Sequence, residues 1–217
     1  MSVLCLASLL WQGVEGRSRS ETPPRHPLRE AREGWSIVVK NDAARTPVIA
    51  SVATWIAGGV LHVAGTTHVL GGGSKVGGLG LLVAALAVGA ALGSAWTLSR
   101  PRPNHRAALA RGLVGAGLGL AAFAATHAWW SMLLAAFVTG LFAAPVFFLS
   151  ETAIQEAVPE GARARVFSAR DFLARGAFLA VAAVAAPLVS RFGTAPPIAA
   201  TGGILALLGM LSLLRRP

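Results

Sequence analysis

Acidic side chains are scarce in this sequence. Nine Asp and Glu stand against 19 Lys and Arg in 217 residues, and none lies between Asp42 and Glu151. A formal charge of +10 would by itself point to nucleic acid. The basic residues instead sit in short clusters between apolar stretches, so nucleic acid is not expected as a partner. Charged residues make up only 13% of the chain, roughly half of what a soluble domain carries. A single cysteine, Cys5, excludes an internal disulfide and any cysteine-based metal site. G-x-S-x-G, H-E-x-x-H and a P-loop are all missing, so the chain is not read as an enzyme, and no catalytic residue, metal or cofactor is assigned. The run Gly71-Gly72-Gly73-Ser74-Lys75 resembles a phosphate loop only superficially, because no strand precedes it. The apolar run Val3 to Trp11 has no Lys or Arg before it and no A-x-A site after it, unlike a signal peptide, and is too short to span a bilayer.

What is abundant is apolar sequence: 54% of the residues are hydrophobic, in recurring stretches of span length. The pattern predicts an all-α membrane protein built as a six-transmembrane-helix bundle. The spans run Pro47 to Leu70, Val76 to Leu98, Ala107 to Thr126, Ala128 to Ser150, Val166 to Val189 and Pro196 to Leu214. Residues 1–46 form a preceding remnant and a polar linker, and 47–217 the transmembrane domain. Within the linker, Pro27 to Asn41 predicts a short helix lying at the membrane surface. The fifth span has the shortest apolar run, Gly176 to Val189. Its opening turns carry Arg170, Asp171 and Arg175, and the last two are spaced to pair on one helix face. Arg175 is also placed to snorkel back to the interface.

The basic residues orient the bundle. Seven precede the first span, four lie between the second and third or at the edge of the third (Arg100, Arg102, Arg106, Arg111), four precede or open the fifth, and two follow the sixth. That places seventeen on one side, with Lys75 and Arg191 on the other. By the positive-inside rule the rich side is the cytoplasm, both termini are cytoplasmic, and the host is the plasma (inner) membrane.

Several polar residues fall at membrane depth. Ser51, Thr54, Gly58, His62 and Gly65 or Thr66 recur at helical spacing along the first span, which predicts a shared face. Such groups turn to the bundle interior or a wet cavity. His62, near the midplane, is a candidate substrate or proton site, or a neutral imidazole bonded to a neighbouring helix. Thr139 joins Ser131 and Ala135 on a small face of the fourth span. His68 lies about 120° around the helix from His62, so the two form no one-face metal pair. His127 is read as solvated. The pairs Gly89/Gly93 and Gly115/Gly119 allow close helix approach. Pro145 is placed to kink the fourth span. Trp55, Trp96, Trp129 and Trp130 read as interface anchors.

Two stretches carry a family resemblance. One is Arg29-Glu-Ala-Arg-Glu-Gly-Trp35, running into the first span. The other is Glu151-Thr-Ala-Ile-Gln155-Glu-Ala-Val-Pro159 with Arg163-Ala-Arg-Val-Phe-Ser-Ala-Arg-Asp-Phe172. They resemble the central loop and the loop between the tenth and eleventh helices of major facilitator superfamily exporters of drugs, macrolides or siderophores. The match covers residues 27 to 217 and implies the carboxy-terminal half of that fold, with helices one to six outside this sequence. Gly93, Arg100, Arg102 and Arg106 stand where the family repeats its gating loop. That copy is interrupted by Pro101 and Pro103 and holds no acid. The resemblance implies a cytoplasmic network pairing such arginines with Glu151, alongside Arg165, Arg170 and Asp171. It implies transport of a small amphiphilic substrate across the lipid bilayer, shared with a complementary six-helix half or a second copy. With no carboxylate in the first four spans, proton coupling through this half falls to His62 or a partner. The alternative is a non-transporting membrane scaffold derived from a transporter. A haem protein or membrane enzyme would need histidines paired at one depth, for which His62 has no match.

Overall fold

The computed structural model describes residues 27–71, 76–99 and 104–214. These form seven helices: α1 (Pro27–Lys40), α2 (Asp42–Gly71), α3 (Val76–Leu98), α4 (His105–Ala125), α5 (Trp129–Ala157), α6 (Glu160–Phe192) and α7 (Ala195–Leu214). The last six are each long and apolar enough to cross a membrane. Among the described residues no strand occurs, as bilayer-spanning backbone requires when each segment must satisfy its own hydrogen bonds.

The expected limits of α3 agree with the observed ones, and those of α4 and α7 agree within two residues. Three spans are longer than expected. Helix α2 starts at Asp42 rather than Pro47, α5 runs on to Ala157, and α6 begins at Glu160. The extra turns carry polar and charged residues, so a window that follows hydropathy stops short of the helix end. The start of α2 is set by Asn41. Its Oδ1 accepts from the backbone N–H of Ala43 and Ala44 at 3.1 and 3.3 Å, an N-cap. Its Nδ2 donates to the Ala157 carbonyl at 2.9 Å, tying the start of α2 to the end of α5. The 46/47 boundary therefore falls inside a helix.

Helix α1 lies against α6. A Cβ on Gly34 would stand 2.0 Å from the Arg165 carbonyl oxygen, so only glycine allows the two backbones to approach this closely. Val38 is fully buried with Ala44, Val48, Ile154, Val158 and Val166, while Trp35 and Val39 remain exposed. The helix expected over Pro27 to Asn41 is thus present, as Pro27–Lys40, and docked on the bundle through its apolar stripe.

The spans pair α2 with α6, α3 with α5 and α4 with α7. Further packing joins α4 to α5 and α2 to α5. Much of this pattern is kept when the first three spans are exchanged with the last three. The pair α2–α6 becomes α5–α3, α4–α7 becomes itself, and α2–α5 becomes itself. The counterpart of α4–α5 is α7–α2, a lighter contact. Glycines set the closest crossings. A Cβ on Gly89, Gly93 or Gly140 would come within 2.1, 2.0 and 2.0 Å of the carbonyl oxygens of Phe137, Leu141 and Leu86. Gly117 and Gly202 face each other's carbonyls across α4 and α7 at 2.4 and 2.6 Å in the same sense. The Gly89/Gly93 pair does what its spacing predicts. Gly115 and Gly119 of the second pair meet the Phe142 ring and Thr139. The outward surfaces of α3, α6 and α7 carry Leu81, Val83, Val88, Leu179, Val184 and Leu207, an apolar belt suited to lipid rather than water.

Candidate functional site

The expected polar stripe on α2 is divided. Ser51 and Thr54 are buried in the bundle, whereas His62 is exposed. Thr54 Oγ1 donates to the Ala50 carbonyl at 2.9 Å, and Ser51 Oγ is buried without a hydrogen-bond partner. The division coincides with a π-helical turn, Leu61–Gly65, within α2. A turn closed by i→i+5 bonds carries an extra residue and re-phases the face that follows. Past it, the hydroxyls of Thr66 and Thr67 donate back to the carbonyls of His62 and Val63. Thr66 and Thr139 line one cavity of ≈ 120 Å³ with Leu61, Gly65, Leu82 and Phe123. Thr139 is buried against α4, its Oγ1 2.5 Å from where a Cβ of Gly119 would be, and it bonds to the Ala135 carbonyl. Thr139 thus packs on Gly119 of α4 while sharing a cavity with Thr66 at the far end of the α2 stripe.

What sits beside His62 is aromatic. The Phe178 ring of α6 lies 6.0 Å from the His62 ring. Trp55 of α2 meets Phe178 and Phe147 of α5 edge-on, each at 6.0 Å between centroids. Such T-shaped pairs set a positive ring edge against a negative face. Trp55 and His62 stay exposed on the same side. A ledge of four rings thus spans α2, α5 and α6. Trp55, expected as an anchor, is a member of this ledge. Sequence spacing could not reveal it, because the contacts join three helices far apart in the chain.

A second cluster lies at the α1 end. Arg170 is 9% exposed. Its Nε and Nη2 donate to Asp171 Oδ1 at 3.0 and 2.8 Å, and Nη2 to Glu151 Oε1 at 3.3 Å. Its guanidinium carbon lies 5.0 Å from the Phe167 ring centroid. The expected partnership of Glu151 with an arginine is met by Arg170. Arg165 pairs with Glu33 of α1 at 3.3 Å instead. Asp171, expected to pair with Arg175, is taken by the adjacent Arg170, whose side chain follows the buried face of α6. Gly93 serves the α3–α5 crossing. Arg106 makes no ion pair among the described residues, its Nε is buried without a partner, and neighbouring His105 meets Glu156 at 3.1 Å. Arg100 and Arg102 lie outside the described residues, as do Val3 to Trp11 and Lys75.

At the opposite end, His68 is 5% exposed and joins three segments. Its Nε2–H donates to the Thr126 carbonyl at 3.3 Å, which leaves Nδ1 to accept from the Thr194 hydroxyl at 2.7 Å. The His127 ring lies 5.4 Å away and is exposed. No group of three or more His, Cys, Asp or Glu able to hold a metal occurs among the described residues.

No protein-family model, curated protein or solved structure matches the chain.

Proposed function

We propose that the chain is one half of a membrane transporter for small amphiphilic molecules, organised as the carboxy-terminal half of a major facilitator exporter and completed by a complementary six-helix half or a second copy. The observation that carries this reading is the packing pattern largely kept on exchanging the first three spans with the last three. A repeat of three spans is odd, so the second copy runs inverted through the bilayer. Nested 3+3 inverted repeats are the architecture in which substrates bind near the midplane at the repeat interface. The ring ledge of Trp55, His62, Phe147 and Phe178 supports the same reading. It joins spans from both repeats and stays open on one side, where a second half would close it.

On this reading the α1 end is cytoplasmic, because the order of spans in the sequence assigns seventeen of the basic residues to that side. The Arg170 cluster then belongs to the cytoplasmic closure, and the host membrane is the plasma (inner) membrane. The test is reconstitution into liposomes, with efflux of amphiphilic dyes and macrolides followed under an imposed pH gradient. Efflux that requires a complementary half and falls on His62→Ala supports the proposal. Gradient-driven efflux by a proven monomer refutes the half-transporter organisation. Inactivity with every candidate half favours a scaffold.

A further inference from the structure

We infer that the open face of α2 and α6 binds an organic anion with an aromatic body. The inference rests on the transporter reading for its location and adds the chemical class of the ligand. Asp171, Arg175 and Phe178 follow one another on α6 at intervals of four and three residues, so they share a stripe of the helix. Arg175 stands about 4.5 Å along the axis from Phe178, toward the α1 end. It is exposed, and with Asp171 held by Arg170 it makes no ion pair or hydrogen bond to a described residue. Its charge thus has no paired counter-charge at the point where the apolar run of α6 begins, a position that favours an anionic ligand. Its fork of N–H donors suits a carboxylate, sulfonate or phosphate.

The acids point the same way. None occurs between Asp42 and Glu151 or after Asp171. The one carboxylate on this stripe, Asp171, is paired with Arg170, so the charge left without a partner beside the ledge is Arg175. Above that charge, Phe178 touches His62 and Trp55, and Trp55 touches Phe147. These rings offer flat apolar contact about one helical turn from the guanidinium. A molecule with an anionic head and a planar ring system fits both features. A phospholipid has the head without the rings.

The experiment uses the full chain in phosphatidylcholine nanodiscs, with empty discs subtracted. The probes are 1-anilinonaphthalene-8-sulfonate and N-phenyl-1-naphthylamine, which share a ring system and differ by the sulfonate. Saturable binding of the sulfonate is expected, weakened roughly tenfold or more by Arg175→Gln and less by Arg175→Lys, which keeps the charge without the fork. Arg191→Gln, changing an exposed arginine at the far end of α6, should leave it unchanged. The neutral probe should be insensitive to Arg175→Gln and weakened by Trp55→Ala. Equal sulfonate binding by wild type and Arg175→Gln overturns the inference, as does equal loss on Arg191→Gln. Displacement of the sulfonate by phosphatidylglycerol built into the disc also overturns it, in favour of a lipid headgroup. Failure here is separable from failure of the transporter reading. Efflux of cationic dyes with no Arg175-dependent anion binding removes the ligand class and leaves transport standing. Arg175-dependent binding without efflux beside any half does the reverse.

Discussion

Gly140 on α5 and Leu86 on α3 are in backbone contact: a Cβ on Gly140 would lie 2.0 Å from the Leu86 carbonyl oxygen and 3.0 Å from the Ala90 nitrogen. Neither atom is the end of a flexible side chain, so the helices themselves would have to part. In lipid such close crossings replace the hydrophobic effect as the source of helix association. Gly140→Ala is predicted to destabilise the bundle by about 1–3 kcal/mol. Gly203→Ala, at a glycine with nothing within 4 Å of the added carbon, should be neutral or stabilising by a few tenths to about 1 kcal/mol, since alanine is the better helix former. Unfolding of the purified protein by heat or by denaturing detergent, compared between the two variants, checks this. Equal stability of the two would refute the close-crossing account.

Arg170 and Glu151 contribute unequally to their cluster. The arginine side chain is 11% exposed and the Glu151 side chain 49%. Removing Glu151 leaves Arg170 paired with Asp171 and frees a group already half in water. Glu151→Gln should therefore cost less than about 1 kcal/mol. Arg170→Ala removes the donors of two carboxylates and the stem packed beside Phe167, and should cost about 2 kcal/mol or more. Melting temperatures of the two variants in one detergent decide the order, and a larger loss for Glu151→Gln would contradict it.

Much of this was legible in the residues, for different reasons in different places. The six spans were, because apolar length is dictated by the bilayer. Glu151 was, because acids are so few that the one near the end of the fourth span stood out. The extra turns of α5 and α6 were not, because polar helix outside the bilayer carries no hydropathy signal. The π turn was not, because nothing in Leu61-His-Val-Ala-Gly65 distinguishes i→i+5 from i→i+4 bonding. Consequently the Ser51–Thr54–His62 stripe, drawn on regular spacing, did not survive as one face. The Asp171–Arg175 pair had the right spacing for a helix face, yet a side chain one residue away reached the carboxylate first.

His68 ties α2 to the end of α4 and to the α6–α7 turn through two hydrogen bonds. His68→Leu keeps the bulk but leaves the Thr126 carbonyl and the Thr194 hydroxyl unpaired, with an expected loss of about 1–3 kcal/mol. Thr194→Val removes one of the two bonds and should cost about 1 kcal/mol. His127→Ala, at an exposed ring tilted against His68, should change stability by less than about 0.5 kcal/mol. Thermal unfolding of the three variants tests the ranking. A His127→Ala loss matching that of His68→Leu would show that the ring pair, not the hydrogen bonds, holds this end.

The orientation of the bundle yields the last prediction. Six crossings would leave α1, docked on the start of α6, and the end of α7 on one side of the membrane. Seventeen basic residues of the sequence are assigned there, against Lys75 and Arg191 opposite. Basic residues near span ends are retained in the cytoplasm during insertion. Reporter fusions after Asn104, Pro159 and Pro217 should therefore report the cytoplasm, and fusions after Gly73 and Gly193 the outside. The fusion at Pro217 is the decisive one, because α6 is the span whose apolar run is shortest and whose first half carries Arg163, Arg165, Arg170 and Arg175. If α6 failed to cross, the orientation of α7 would invert and Pro217 would report the outside. In that case α2 could not keep Phe178 against Trp55 and His62, and the ring ledge would not form in the membrane.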